Sequence, residues 1–282
     1  MSLQLCVLAS GSSGNCTVVR SPAGIVLIDC GIGPRTAAAR LKGTGVSIHD
    51  VSAICLTHLD RDHFNLNWIN AIVSRGIRLF CHASRMDELL ALARDDASRE
   101  TIVPFNGHPF ELLPGLLAHT ISLAHDRAGS HGFVLDGHGA RVGYATDLGH
   151  VPESLVEHFS NLDVLAIESN YDPQMQRDSS RPWFLKQRIM GGRGHLSNEQ
   201  ALDAIRRILR RCEMRGAKLP AHIVLLHRSR QCNCPDLVRT LFARDARIAP
   251  RLTLAEQYER TEWLAVRPIE RFVGEQLQLT WG

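Results

Sequence analysis

Thr57-His58-Leu59-Asp60-Arg61-Asp62-His63 is the stretch on which the reading of this chain turns. Four metal-capable side chains, His58, Asp60, Asp62 and His63, fall within six residues. They follow directly on Ala53-Ile54-Cys55-Leu56, a short apolar run of the kind that forms a buried strand. A strand end that opens into a loop lets neighbouring side chains converge on one point. Imidazole supplies borderline nitrogen donors and carboxylate supplies hard oxygens. Crowding four ionisable groups beside a buried strand costs free energy unless a cation compensates. The stretch therefore points to a metal centre rather than to a solvated polar loop.

Working outward, residues 3–8, 16–20 and 24–29 read as short strands, the first two split by Ser10-Gly11-Ser12-Ser13-Gly14-Asn15. Further strands are predicted over 78–81, 116–123, 132–135, 141–145, 164–168 and 222–226, with weaker ones out to Thr280. Helices are predicted over 34–41, 67–75, 85–93, 198–215 and 235–244. Pro34 suits a first turn, and Ser197-Asn198-Glu199-Gln200 supplies cap-type residues. Strands and helices mix throughout, with a meander near the start of each half. That pattern predicts two sheets covered by helices in one domain over 1–282, with its core at 3–240 and 241–282 as a C-terminal extension.

With 282 residues, 44% hydrophobic and 22% charged, the composition is that of a soluble globular protein with a substantial core. The net charge of +3 is compatible with a nucleic-acid partner without implying one. Arg206, Arg207, Arg210, Arg211 and Arg215 crowd one helical stretch; a solvated helix face is the plain reading and a nucleic-acid contact the sharper one. Eight cysteines (6, 16, 30, 55, 81, 212, 232 and 234) form no C-x-x-C pair, and several sit in apolar runs, as small hydrophobes do in a reducing compartment. Met1-Ser2-Leu3-Gln4 has no signal-peptide character, and no apolar run approaches a membrane span. A cytoplasmic protein is expected, with no membrane partner and no signal for its oligomeric state.

The run at 58–63 resembles the H-x-H-x-D-H signature of the metallo-β-lactamase superfamily, with Asp60 where a second His usually stands. Ile28-Asp29-Cys30-Gly31 resembles the Asp-before-Gly that closes the family's opening meander. His125, ahead of Gly132-Phe133, Asp147 in Tyr144-Ala145-Thr146-Asp147-Leu148-Gly149, and His227 after Ile223-Val224-Leu225-Leu226 resemble the later motifs. The resemblance implies an α+β fold, the αββα four-layer sandwich. It also implies two divalent metal ions, zinc, manganese or iron. The first would be held by His58, Asp60, His125 and Asp147, the second by Asp62, His63, Asp147 and His227. Asp60 would make the first site harder and more tolerant of manganese or iron, or would weaken it.

Three further regions are similar to the YycJ/WalJ-type branch, related to tRNase Z and RNase J. They are Leu8-Ala9-Ser10 through Cys16, Ile167-Glu168-Ser169-Asn170 with Pro182-Trp183-Phe184-Leu185-Lys186 and Gly194-His195-Leu196-Ser197-Asn198, and Leu226-His227-Arg228-Ser229-Arg230-Gln231. The resemblance spans residues 3–240 and implies a DNA exonuclease that cleaves phosphodiesters with a metal-bridging hydroxide. By the same resemblance, Asp62 orients the nucleophile, and His195, held by Glu168, protonates the leaving oxygen. Ser12, Ser13 and Asn15 either contact phosphate or form a tight turn. Ser197 and Asn198 either contact substrate or cap a helix. Arg228 and Arg230 either clamp phosphate or are solvated. Three rivals remain: a cyclic-phosphate diesterase, a thioester or lactone hydrolase like glyoxalase II, and a catalytically impaired metal-binding module. A thiolate leaves unaided, so the thioester hydrolase has no need of Glu168 and His195.

Overall fold

A computed structural model describes residues 3–93 and 96–265. The chain opens with β1 (Gln4–Ala9), β2 (Cys16–Ser21) and β3 (Gly24–Ile28), an antiparallel meander. Parallel strands need long crossovers, and helices supply them. α1 (Pro34–Leu41) leads to β4 (Val51–Cys55), α2 (Ile69–Arg75) to β5 (Arg78–His82), and α3 (Met86–Leu92) with α4 (Asp96–Glu100) to β6 (Ile102–Phe105).

The second half repeats the scheme. β7 (Phe110–Leu113), β8 (Leu116–Leu123), β9 (Ser130–Gly137) and β10 (Ala140–Ala145) are antiparallel. α5 (Glu153–His158) then leads to β11 (Val164–Glu168). α6 (Pro173–Asp178), α7 (Trp183–Met190) and α8 (Asn198–Met214) lead to β12 (His222–Leu226), and α9 (Pro235–Phe242) to β13 (Leu252–Leu254). β11, β12 and β13 extend the sheet in parallel. Finally β14 (Leu264–Ala265) returns to pair with β1. The sheet orders are β14-β1-β2-β3-β4-β5-β6 and β13-β12-β11-β10-β9-β8-β7.

The central strands β1, β3, β11 and β12 are apolar and buried along most of their length because both faces are covered. Leu5 and Val7 of β1 meet Phe133, Leu135, Val142 and Val224 between the sheets. Cys6 and Leu8, on the opposite face, pack with Ala37, Leu41, Trp68 and Ile72 of the helical layer. The outer face of the second sheet packs Leu165 and Ile167 against Ile205, Ile208 and Leu209 of α8 and against Leu155, Val238 and Phe242. The layers therefore run helix, sheet, sheet, helix, the predicted α+β sandwich. None of the eight cysteines is paired, and seven are buried as core hydrophobes.

Ser197 caps α8 in a reciprocal box with Gln200. Most of the arginines of this run meet carboxylates: Arg207 and Arg211 bond Glu153, Arg211 and Arg215 bond Glu157, and Arg206 bonds Asp245. That favours the plain reading of the arginine run, since these side chains fasten α8 to its neighbours. Helices α4 to α7, of five to eight residues, were not predicted. Part of the stretch set aside as an extension, 252–265, supplies an edge strand to each sheet. The weaker strands expected beyond 265 lie outside the described residues.

Candidate metal centre

Strands that run in the same direction deliver their C-terminal ends to one edge. Asp29 follows β3, the 58–63 run follows β4, His125 follows β8, Asp147 follows β10, Glu168 ends β11 and His227 follows β12. Asp29, Asp147 and His227 adopt φ of 59°, 55° and 54°. Asp and His tolerate this left-handed region better than most residues, at a cost of about 1–2 kcal/mol each. The turn aims each side chain back over the sheet edge. Gly31 is fixed by the same packing, since a Cβ there would stand 1.8 Å from the Asp62 carbonyl oxygen.

The five histidines His58, His63, His125, His195 and His227 each have Nδ1 beside an oxygen. His63 Nδ1 lies 2.7 Å from Asp29 Oδ2. His58 Nδ1 lies 3.0 Å from Thr57 Oγ1, whose own proton goes to Asp29. His125 Nδ1 meets the Gly194 carbonyl at 3.0 Å. His195 and His227 place Nδ1 at 2.7 and 3.0 Å from Glu168 Oε1. An acceptor at Nδ1 orients each ring and directs Nε2 away from that partner, the arrangement of a metal-ligating imidazole.

The structure brings together all seven residues expected as ligands. His58, Asp60 and His125 each place one donor atom within 4.8 Å of the others, and so do Asp62, His63 and His227. Asp147 stands between the groups, 3.0 Å from His63 Nε2 and 3.8 Å from His125 Nε2. Glu168 and His195 close a further group with Asp147 and His227. Glu168 is fully buried; its Oε2 accepts the Leu148 and Leu196 amides at 2.9 and 3.1 Å, while Oε1 serves both rings. Two contacts were not anticipated from sequence: Asp29 on His63, and Glu168 on His227 as well as His195.

Burial opposes charge on His63, His195 and His227, yet the carboxylates beside them win. Asp29 and Asp147 hold His63 well above the ordinary histidine range. Asp147, with the bonds His227 donates to Asp62 and Glu168, pushes His227 up to about 10. Burial would raise Asp62, but His227 and His63 bring it down to about 2. His58 goes the other way: burial first, then His63, lowers it well below the usual value. The carboxylates thus create a field that demands positive charge at buried imidazoles. Divalent metal satisfies the same demand while leaving the rings neutral, so the residues present fit divalent metal binding.

Beside these groups lies a cleft of about 450 Å³, lined by Ser12, Asp60, Asp62, His125, Asp147, His195 and His227 and walled by Arg181, Leu185 and Arg188. The expected substrate contacts are dispersed. Ser12 reaches the cleft, whereas the Ser13 amide bonds Gln257. Asn15 is buried, accepts the Gly11 amide and sets its own amide nitrogen 3.0 Å from His63 Nε2. Ser197 is a helix cap, and Asn198 sits in a buried network with Ser169 and Asn233. Arg228 bonds Glu256, and Arg230 stacks over Tyr258, both lining a neighbouring pocket. Arg181, in the loop between α6 and α7, and Arg188, on α7, went unrecognised in the sequence.

The sequence model of the β-lactamase superfamily domain matches residues 25–223. An exodeoxyribonuclease YycJ from Bacillus anthracis is 25% identical over 240 residues, 85% of this chain and 87% of that one. An exodeoxyribonuclease WalJ from Streptococcus pneumoniae serotype 2 (strain D39) is 27% identical over 207 residues, 72% of this chain and 76% of that one. The crystal structure of the metallo-β-lactamase fold protein YhfI from Bacillus subtilis superposes with a TM-score of 0.65 at 14% identity, covering 93% of this chain and 99% of that one. Two mixed sheets between helical layers, a histidine–carboxylate cluster at their shared edge and a family match over most of the chain lead to one assignment: this protein belongs to the β-lactamase superfamily and has the metallo-β-lactamase fold.

Proposed function

We propose that this protein is a metal-dependent phosphodiesterase acting on DNA as an exonuclease. The observation that carries the proposal is the Glu168–His195 pair set against the two donor groups. An alkoxide leaving a phosphodiester needs a proton, whereas a thiolate does not, so a thioesterase has no use for the pair. The names of the YycJ and WalJ relatives support the same reading.

His58, Asp60, His125 and Asp147 would hold one divalent cation, and Asp62, His63, Asp147 and His227 the other; zinc, manganese and iron all suit this donor set. When bound, the cations supply positive charge for the phosphate and lower the pKa of a coordinated water. His195 keeps Nδ1 on Glu168 and turns its 20%-exposed ring to the cleft, so Nε2 can deliver a proton to the departing oxygen. The carboxylate of Asp62, 26% exposed, orients the attacking water. Arg181, braced by Gln176 and Gln231, is placed to hold phosphate oxygens. Among the described residues no helix is long and apolar enough to cross a membrane. The seven buried, unpaired cysteines support placement in the reducing cytoplasm.

Metal-replete protein is tested on single- and double-stranded DNA, RNA and bis(p-nitrophenyl) phosphate, beside His195→Ala. DNA should be shortened from an end, and His195→Ala should cut that rate about 10²–10⁴-fold. The loss should be smaller on the p-nitrophenyl ester, whose leaving group departs without a proton. Turnover of the small ester alone would sink the exonuclease reading in favour of a small-diester hydrolase. Polynucleotide cleavage indifferent to His195→Ala would remove the general acid.

A further inference from the structure

The segment that delivers His195 is, by its sequence, ill suited to holding a side chain still. Gly191-Gly192-Arg193-Gly194 puts three glycines in four residues between the end of α7 and the proposed proton donor. Glycine has the most backbone freedom to lose, and Gly192 and Arg193 are exposed. Yet every carbonyl of the four has a partner. Gly191 accepts the Gly194 amide and Arg193 accepts the Asp126 amide, both at 2.9 Å. Gly192 accepts from His150 Nδ1 and Gly194 from His125 Nδ1, both at 3.0 Å. The His195 amide then turns back to the Ile189 carbonyl at 2.8 Å.

Three of these partners come from two places. Residues 124–126 follow β8 and residues 148–150 follow β10, the strand ends that carry His125 and Asp147. The two segments are joined in turn by the Gly149 amide on the Ala124 carbonyl, at 2.7 Å. Asp126 also holds α7 itself, accepting from Arg188 Nε at 3.2 Å. The loop comes closest at Gly149. A Cβ there would stand 2.2 Å from the Gly192 carbonyl oxygen and 2.4 Å from the Arg193 Cα. The obstacle is backbone, so any side chain at 149 forces the loop to move.

We propose that Gly149 and His150 are positioning residues for the proton donor: they dock the 191–194 loop on the strand ends that bear His125 and Asp147, and so set the His195 ring in register with the metal centre. This rests on the phosphodiesterase reading, with His195 as general acid. Glu168 fixes which way the ring turns, through its bond to Nδ1, while the loop fixes where the ring's own backbone stands. A misplacement of about 1 Å costs on the order of 10²-fold in rate, so a donor carried on a glycine loop needs both restraints. Neither Gly149 nor His150 lines the cleft, and both act through His195.

The test compares two diesters that differ in what leaves. DNA releases an alkoxide that needs a proton, and bis(p-nitrophenyl) phosphate releases a phenolate that does not. Gly149→Ala should lower kcat on DNA by about ten-fold or more, with KM little changed and the p-nitrophenyl rate within about three-fold. On a His195→Ala background the same substitution should cost less than about two-fold, because no donor remains to be misplaced. His150→Ala removes one hydrogen bond and should show the same pattern at roughly 2- to 10-fold; it carries the test if Gly149→Ala does not fold. His150→Asn, whose amide reaches the same carbonyl, should restore the rate. Equal losses on both esters, additive losses with His195→Ala, or weaker metal retention against a chelator would overturn the proposal, since each places the effect on the fold or the metals. NMR of full-length protein carrying isotope-labelled histidine gives a readout independent of turnover. The His195 ring resonances should move in Gly149→Ala and His150→Ala and return in His150→Asn; unmoved resonances also overturn the docking. Failure of the native protein to cut DNA would sink the nuclease reading, and the resonances alone would then uphold or end the docking.

Discussion

Asp29 lines no cleft, yet His63 depends on it. Its carboxylate takes the Thr57 amide and hydroxyl and the His63 ring. Removing such a partner lowers metal affinity about 10–100-fold, so Asp29→Ala should release metal at correspondingly lower chelator concentration in a competition titration. The sequence showed Asp29 as a motif residue but not its task, which arises only when β3 and β4 pair and close a separation of 34 residues. Asp60 is the opposite case. Its place in the run was plain, and its side chain is 45% exposed, 3.7 Å from His58 Nε2. An oxygen there hardens the donor set. Asp60→His should therefore tighten zinc and diminish manganese-supported turnover, as read by paired metal titrations and rate assays. Unchanged metal preference would remove Asp60 from the first site.

Among the elements, α8 was legible because its apolar stripe runs for 17 residues between cap and core, whereas α7 offers eight residues with few apolar contacts. The two faces of α8 should differ sharply in energetic weight. Ile205→Ala opens space in the core and should cost about 2–5 kcal/mol. Arg211→Ala removes partly exposed ion pairs and should cost under about 1 kcal/mol. Urea unfolding of both variants checks the contrast. Beyond α9, Asp245 receives both arms of Arg247, at 3.0 and 2.8 Å, and Arg206 at 3.2 Å. Arg247 foremost, then Arg206, holds its carboxyl far below the ordinary range. A depressed folded value adds stability that is complete above the unfolded pKa near 3.9 and fades as pH falls toward the folded one. Asp245→Asn should flatten the loss of stability below about pH 4 in denaturation curves taken at stepped pH.

At the scale of the molecule, most strands were readable from apolar runs and turn residues, and the four-layer arrangement followed from the family resemblance. The edge strands were not: β13 and β14 have three and two residues and exist because neighbouring strands offer unpaired backbone. The same architecture divides the centre between two half-molecules. His58, Asp60, Asp62 and His63 hang from the first sheet, and His125, Asp147, Glu168 and His227 from the second. Ions gripped from both sides would act as a clasp across the seam. Ligand present at a hundred times its dissociation constant stabilises a fold by about 2.7 kcal/mol. Chelation should therefore lower the melting temperature and speed digestion by an added protease, and restored metal should reverse both. A copy that has lost its ions would then be marked for clearance by the same loss that silences it, so a cell would need no separate means of telling loaded molecules from spent ones.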